Sequence, residues 1–339
     1  MKSTVSFLLL ATWLGWGAPS LAPFDLEYPS HFPAPSYDFD NNPLDSSKVS
    51  LGRLLFYDPL LSKDNTISCA SCHSPYNAFA HTDHALSHGI GDAIGTRNAP
   101  ALFNLAWQTS FMWDGAIHHL DMQALAPISH AQEMGETLPS VLQKLQQSKR
   151  YPPLFAQAFG DSLVTGEHLL KALAQFQLTL VSATAKYDHV QQGLDSFNHQ
   201  ELQGQTLFMQ HCNNCHTAPL FSSNTFANNG LPVDSLLLDY GKGMLSLAPK
   251  DSLLFKIPSL RNLSYTYPYM HDGRFKKLRE VLHHYTQTIT PHSTLAPSLQ
   301  HSILLTAPQK TDLIAFLLTL NDKRFVFDPS NKFPKELIP

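Results

Sequence analysis

Charge is what this 339-residue sequence has least of. Lys, Arg, Asp and Glu make up 15% of it, against roughly 25% in an average soluble protein. The net charge is only −4, and the basic residues are scattered rather than gathered into a run. That disfavours nucleic acid or an anionic membrane surface as partner. Long apolar runs are missing too. The one hydrophobic stretch, Val5 to Trp16, is shorter than the about 20 residues that span a bilayer. Glycine, at 16, is outnumbered by 24 prolines, which points to a loop-rich chain, and no segment alternates convincingly in the manner of a strand. Cysteine is scarce, with four residues in all. Against these shortages stand 43% hydrophobic residues, too many for intrinsic disorder, and a length sufficient for one large or two medium domains.

The apolar start reads as an export signal. Lys2 supplies a positive charge, Val5 to Trp16 the apolar run, and Gly17, Ala18 and Ser20 the small residues of a cleavage region. Cleavage is expected between Gly17 and Ala22, with residues 1–22 removed. No cysteine lies near enough for a lipid anchor. The competing reading is a buried N-terminal helix; the export reading puts the mature chain in the periplasm, not spanning the membrane.

All four cysteines fall in two copies of one motif, Cys69-Ala70-Ser71-Cys72-His73 and Cys212-Asn213-Asn214-Cys215-His216. C-x-x-C-H is the attachment signature of c-type haem. Two thiols add across the haem vinyl groups, and the adjoining His reaches the iron. A zinc ribbon would bring its pairs about 15–20 residues apart, far closer than here. A thioredoxin-like site needs one pair in a βαβ setting. Structural disulfides suit an exported chain but do not require a His after each pair. Two covalently bound haem c groups are the expectation.

The surroundings of the motifs repeat. Gly52, Leu55 and Phe56 precede the first; Gly204, Leu207 and Phe208 precede the second. Downstream, Pro100-Ala101-Leu102-Phe103-Asn104-Leu105 is mirrored by Pro258-Ser259-Leu260-Arg261-Asn262-Leu263, and Asp114-Gly115 by Asp272-Gly273, with Leu120 and Leu278 six residues after each Asp. Helical spacing links Leu169, Leu173, Phe176 and Leu180 between Gly166 and Val181, and Leu313, Ile314, Leu317 and Leu320 near the end. The expected fold is mainly α: two cytochrome c-like haem domains related by internal duplication, at 23–195 and 196–339.

From Leu51 to Asp322 the sequence resembles the bacterial dihaem cytochrome c peroxidase family, which includes MauG. The resemblance is carried by Leu51-Gly52-Arg53-Leu54-Leu55-Phe56-Tyr57-Asp58, both haem motifs, Arg97-Asn98-Ala99-Pro100, Trp113-Asp114-Gly115 and Tyr267-Pro268-Tyr269-Met270-His271-Asp272-Gly273. It implies a peroxidatic haem in the N-terminal domain, an electron-transfer haem in the C-terminal one, and one calcium ion between them. By the same resemblance, His73 and His216 ligate iron and Trp113 passes electrons between the haems. Gln123 and Glu133 lie over the open face of the first haem. Asn98, Thr266 and Pro268 hold calcium, the latter two partly through backbone oxygen, and oxygen donors suit a hard cation. Without the family, Trp113 reads as core, Gln123 as helix surface and Glu133 as a solvated charge.

Two positions depart from the usual peroxidase pattern. The place of a blocking distal His is taken by Ile90, which cannot bind iron; His88 lies two residues earlier in a His-rich stretch with His81 and His84. The place of a Met ligand to the second haem is taken by Tyr285, as in MauG. Tyr285 shares a helical apolar stripe with Leu278, Val281 and Leu282, whereas His283 and His284 fall off it. Tyr285 is therefore the expected second ligand.

Three functions remain open at this stage. The first is a peroxidase reducing hydrogen peroxide with electrons from a small donor, a c-type cytochrome or a cupredoxin. The second is a MauG-like oxidase that uses peroxide to modify Trp or Tyr of a partner protein. The third is a dihaem electron carrier, which would leave Glu133 and Gln123 without purpose. Homodimeric assembly is compatible with each.

Overall fold

The computed structural model describes residues 24–335, so the expected leader lies outside the described residues. The first half contains α1 (Ser46–Tyr57), α2 (Cys69–Cys72), α3 (Leu120–Gln123), α4 (Leu125–Ser129), α5 (Leu138–Gln147), α6 (Tyr151–Phe159) and α7 (Gly166–Leu178). The remainder contains α8 (Lys186–Gln191), α9 (His199–His211), α10 (Gly243–Ser246), α11 (Leu278–Gln287), α12 (Ala307–Leu318) and α13 (Lys323–Phe327). Among the described residues the only sheet is an antiparallel ladder of β1 (Phe226–Ala227) with β2 (Phe255–Lys256). Two-residue strands are too short to write an alternating pattern into the sequence. The mainly helical expectation therefore holds.

Side-chain caps begin the four helices that carry the cores. Asp45 accepts from the N–H groups of Ser47 and Lys48 at the start of α1, Thr165 from His168 in α7, and Thr306 from Gln309 in α12. Asn198 and Glu201 form a reciprocal capping box on α9. Each cap satisfies backbone donors that the helix itself leaves unpaired.

These helices cross in two pairs, α1 on α7 and α9 on α12. Both crossings are made on a glycine. A Cβ at Gly52 would lie 1.8 Å from the Ala172 carbonyl oxygen, and one at Gly204 1.9 Å from that of Asp312. No side chain fits. Around each crossing stand three phenylalanines in mutual edge contact: Phe56, Phe79 and Phe176 in one core, Phe208, Phe221 and Phe316 in the other. Asn104 and Asn262 both adopt positive φ, and each gives and receives main-chain bonds just past the crossing helix of its own half, α7 or α12. The Asn104 N–H donates to Leu180 and the Asn262 N–H to Leu320.

The halves also lock reciprocally through the repeated Asp-Gly turns. Gly115 and Gly273 have φ of 77° and 67°. A Cβ on Gly115 would strike Phe226 of the second half at 2.3 Å, and one on Gly273 the Ala85 oxygen of the first half at 2.3 Å. Positive φ and close approach together require glycine there.

The first core does not end with the first half. Phe325 and Val326 of α13 belong to it, with Phe325 against Phe79 and Phe103. Arg53 donates to the Lys332 carbonyl and Tyr57 to that of Asn331, which straps the C-terminal segment across α1.

One buried ion pair stands out. Arg261 and Asp188 are both fully buried and meet bidentately at 2.7 and 2.8 Å, with His31 Nε2 donating at 2.9 Å to the same carboxylate. The guanidinium is flanked by the rings of Phe32 and Phe221 and donates to the Pro219 carbonyl. Burial alone would raise the Asp188 carboxyl, but Arg261 and His31 outweigh it and hold it below the usual carboxylate range. Its stabilisation is thus present at neutral pH and is lost as pH falls through the depressed value. Asp188→Asn is expected to lower unfolding stability by about 3–5 kcal/mol, and the deficit should narrow in acid. Urea unfolding of the haem-loaded protein across pH checks this; a deficit that does not depend on pH would argue against the pair.

Candidate haem sites and the residues between them

The first motif forms α2, a single turn whose entry is fixed by Ser68 and Ser71. The turn ends at His73, where the backbone leaves the helix and Ala78 and Phe79 take positive φ. That reversal returns the Phe79 carbonyl to His73 Nδ1 at 2.8 Å. With Nδ1–H donating to a carbonyl, Nε2 keeps its lone pair free, the arrangement a metal-binding imidazole needs. Burial lowers the His73 pKa to about 4, so the ring is neutral. The second motif repeats this. His216 Nδ1 lies 3.1 Å from the Pro258 carbonyl, Phe221 takes positive φ, and burial again lowers the imidazole to about 4. Pro258 opens the repeated Pro-x-Leu-x-Asn-Leu segment, which gives that repeat a structural reason.

The four cysteines are free thiols. Burial pushes Cys69 and Cys212 up to about 12 and Cys72 to about 11. Among the described residues no cluster of three or more His, Cys, Asp or Glu could hold a metal ion. Paired thiols, each pair beside a histidine with a free Nε2, fit haem c attachment.

A cavity opens against the first motif, lined by Cys69, Cys72, His73, Gln123, Glu133 and Gln177, with apolar residues between. Gln123 is the last residue of α3, and its amide approaches the Met112 sulfur at 3.8 Å. Glu133 sits on a turn after α4, where Glu133 and Gly135 donate to the His130 carbonyl. Glu136, paired with Lys144 at 2.6 Å, ties down the far end of that turn. Burial raises the Glu133 carboxyl above the usual range, partly countered by His130 at 3.6 Å. The fold thus brings Gln123, Glu133 and the first motif into one place.

Ile90 supports this turn. Its N–H donates to the Glu133 carbonyl at 2.8 Å, and its side chain packs against Gly135. His88 is engaged elsewhere. Its Nδ1 lies 2.8 Å from Asp92, its ring stacks on His84 at 4.1 Å, and only its backbone carbonyl meets Cys72. His81, His84 and His88 form a stacked series rather than independent surface side chains.

At the second motif, Tyr285 lies beside Cys212 and Cys215 and bonds to Asn229; burial, the largest effect, pushes it up to about 12. The helical stripe ranked its neighbour wrongly. His284 is only 1% exposed, with Nε2 on the Asn229 carbonyl and Nδ1 on Thr288, because β1 and its following loop cover that side of α11.

Between the motifs, Trp113 occupies a turn and not a helix: Met112 before it has φ of 69°. Its indole N–H donates to the Asn98 carbonyl at 2.8 Å, and its own carbonyl accepts from Lys256. The Asn98 N–H donates to His271 at 2.7 Å, which sets this loop beside the segment bearing Thr266 and Pro268. The Asn98 amide nitrogen donates to Ala85. Arg97 crosses between the halves, bound to Asp114 at 2.6 Å and to Asp239 at 2.6 and 2.9 Å. Sequence reasoning missed Asp239 and Arg261, which lie in unrepeated or degenerate positions. It also missed Gln177, although Phe176-Gln177-Leu178-Thr179-Leu180 echoes Phe316-Leu317-Leu318-Thr319-Leu320 and could have drawn attention to it.

Comparison with known proteins agrees with this arrangement. A family model described as di-haem cytochrome c peroxidase matches residues 46–196. The chain is 35% identical to the methylamine utilization protein MauG of Methylophilus methylotrophus, over 94% of this chain and 93% of that one. It is 32% identical to cytochrome c551 peroxidase of Nitrosomonas europaea, over 71% and 73% respectively. The crystal structure of a MauG-like protein associated with microbial copper homeostasis superposes with a TM-score of 0.83 at 30% identity, covering 92% of this chain and 99% of that one.

Protein produced with c-type haem maturation should exceed its processed polypeptide mass by two haems, and acid–acetone should extract neither. Replacing Cys212 and Cys215 by Ala should remove one haem only. A single haem in the unaltered protein would refute the paired reading.

Proposed function

Because the chain belongs to the di-haem cytochrome c peroxidase family and is a peroxidase-type oxidoreductase, we propose that it reduces hydrogen peroxide to water at the first motif, drawing electrons from a small redox protein through the second. The observation that carries this reading is the single cavity shared by Cys69, Cys72, His73, Gln123 and Glu133. A haem c held there by His73 would supply the redox centre that gives two electrons to peroxide as its O–O bond is cleaved and regains them through the second motif. Glu133 takes the proton from the attacking oxygen of peroxide and returns it to the departing one. Gln123 orients the peroxide. Such proton transfer is worth about 10²–10⁴-fold. His216 and Tyr285 would hold the second haem, and Trp113, between the halves, would relay electrons one at a time.

The repeated crossings, Phe trios and Asp-Gly turns support descent of residues 23–195 and 196–339 from one duplicated haem module. Asn98, Thr266 and Pro268 are assigned to a calcium ion at the junction. The leader motif supports a periplasmic location, where a c-type cytochrome or cupredoxin is the donor.

Two observations favour a second reading, oxidation of Trp or Tyr on a partner protein. Ile90 offers no ligand to block the first haem, and Tyr285 replaces a neutral Met with a group that, as tyrosinate, lowers the second haem's potential. Both favour reaction with peroxide in the fully ferric state. Steady-state peroxide turnover with reduced small cytochromes, set against mass spectrometry of candidate partner proteins, separates the two.

Fully ferric protein mixed with stoichiometric peroxide should lose its high-spin signal rapidly. The rate should rise with pH through a value above the usual glutamate range, since Glu133 must be ionised to accept the proton and burial delays its ionisation. Glu133→Gln should lower the rate at least about 10²-fold and flatten that rise while leaving both haem spectra intact. Tyr285→Met should alter only the low-spin signal. An oxidised protein inert until half-reduced would favour a gated peroxidase.

A further inference from the structure

The crossing helices α7 and α12 correspond residue for residue. The glycine crossings set Ala172 against Asp312, and Thr179 and Thr319 each donate to a phenylalanine carbonyl three residues back. In this register Leu173 matches Leu313, and Gln177 matches Leu317. Leu317 is 6% exposed and Gln177 3%. The scaffold therefore accepts leucine at this place, yet the first half buries an amide there. An unpartnered buried amide costs stability.

Nearby Gln175 shows what a structural glutamine looks like. Its Nε2 donates to oxygens of Asn42 and Pro43, and its Oε1 accepts from the Asp45 N–H, so it fastens the entry to α1. Gln177 fastens nothing of the kind. Its Nε2 reaches back one turn to the Leu173 carbonyl at 3.3 Å, and its buried Oε1 has no partner. The side chain lines the cavity shared with His73, Gln123 and Glu133. An amide oxygen only accepts, so its partner must bring an O–H or N–H. Ionised haem propionates are themselves acceptors and cannot serve.

We propose that Gln177 is a third polar contact of the first cavity, its amide oxygen accepting a hydrogen bond from the O–H of water or hydrogen peroxide admitted there. It is a positioning residue: it fixes the orientation of a small O–H donor while Glu133 moves the proton. Leu317 withholds that contact from the second half, which carries electrons only. The inference rests on the first half being the peroxide site.

Gln177→Met keeps the side-chain length and removes the acceptor; Gln177→Glu restores one. The two-haem Met variant should lose its ferric signal on mixing with hydrogen peroxide about tenfold more slowly, the worth of one neutral hydrogen bond. Before any peroxide is added, its first haem should already differ from the parent in spin state across pH. The Glu variant should recover most of both. A Met variant equal to the parent in both readouts would reduce Gln177 to a helix back-bond and overturn the proposal. So would a change confined to the pH dependence of the first haem's reduction potential, which would assign the oxygen to a haem propionic acid. If the Met variant does not retain both haems, Gln177→Leu, which copies the second half, is measured in the same way. A parent inert to peroxide would sink the peroxide reading, while the spin-state comparison would still decide the role of Gln177.

Discussion

Backbone contact between crossing helices is the constraint from which the rest follows. At Gly52 and Gly204 the facing helix carbonyl occupies the space of a Cβ, so α1 meets α7, and α9 meets α12, without an intervening side chain. That closeness lets three phenylalanines meet around each crossing and turns the next face of α7, with Leu173 and Gln177, toward the first motif. A methyl group at either glycine would need a helix to move, and at Gly52 the wall of the first cavity would move with α7.

On this shared frame the halves diverge just after the Asp-Gly turn. Helices begin at Leu120 and at Leu278. The first stops after four residues and gives way to α4, which contains Pro127, and then to the turn bearing Glu133. The second runs on unbroken for ten residues and carries Tyr285. Counted from the two leucines, Tyr285 stands where the first half has Pro127, which itself lines the first cavity. A proline side chain has no donor atom to offer a metal, and a phenol does. One broken and one continuous helix thus give the two halves different polar groups over equivalent places.

Much of this was legible in the sequence because attachment chemistry is local. Cys69 to His73 and Cys212 to His216 declare themselves within five residues, and the repeated Gly, Asn and Asp-Gly positions mark backbone geometry that few residues can adopt. Gln123 and Glu133 were readable only through family resemblance, since nothing in their own spacing distinguishes them from surface groups. Burial by a distant segment was not readable at all. His284 lies off the apolar stripe of α11 and is covered by the loop after β1, and Arg97 meets Asp239 across 142 positions of chain. Such contacts are fixed by how the halves meet, and periodicity within one helix carries no record of that.

The strap of α13 over the first core has a consequence in time. Phe325 and Val326 fill that core beside Phe79 and Phe103, and the Lys332 and Asn331 carbonyls seat on Arg53 and Tyr57. The half of the chain that is synthesised first is therefore the half that is completed last. Until residues 325–332 dock on α1, its core stays open on the side of Phe79, whose carbonyl orients His73. The segment from Phe325 to Lys332 acts as the closing piece of the first core, and the second core, built from residues 187–320, can be whole before it.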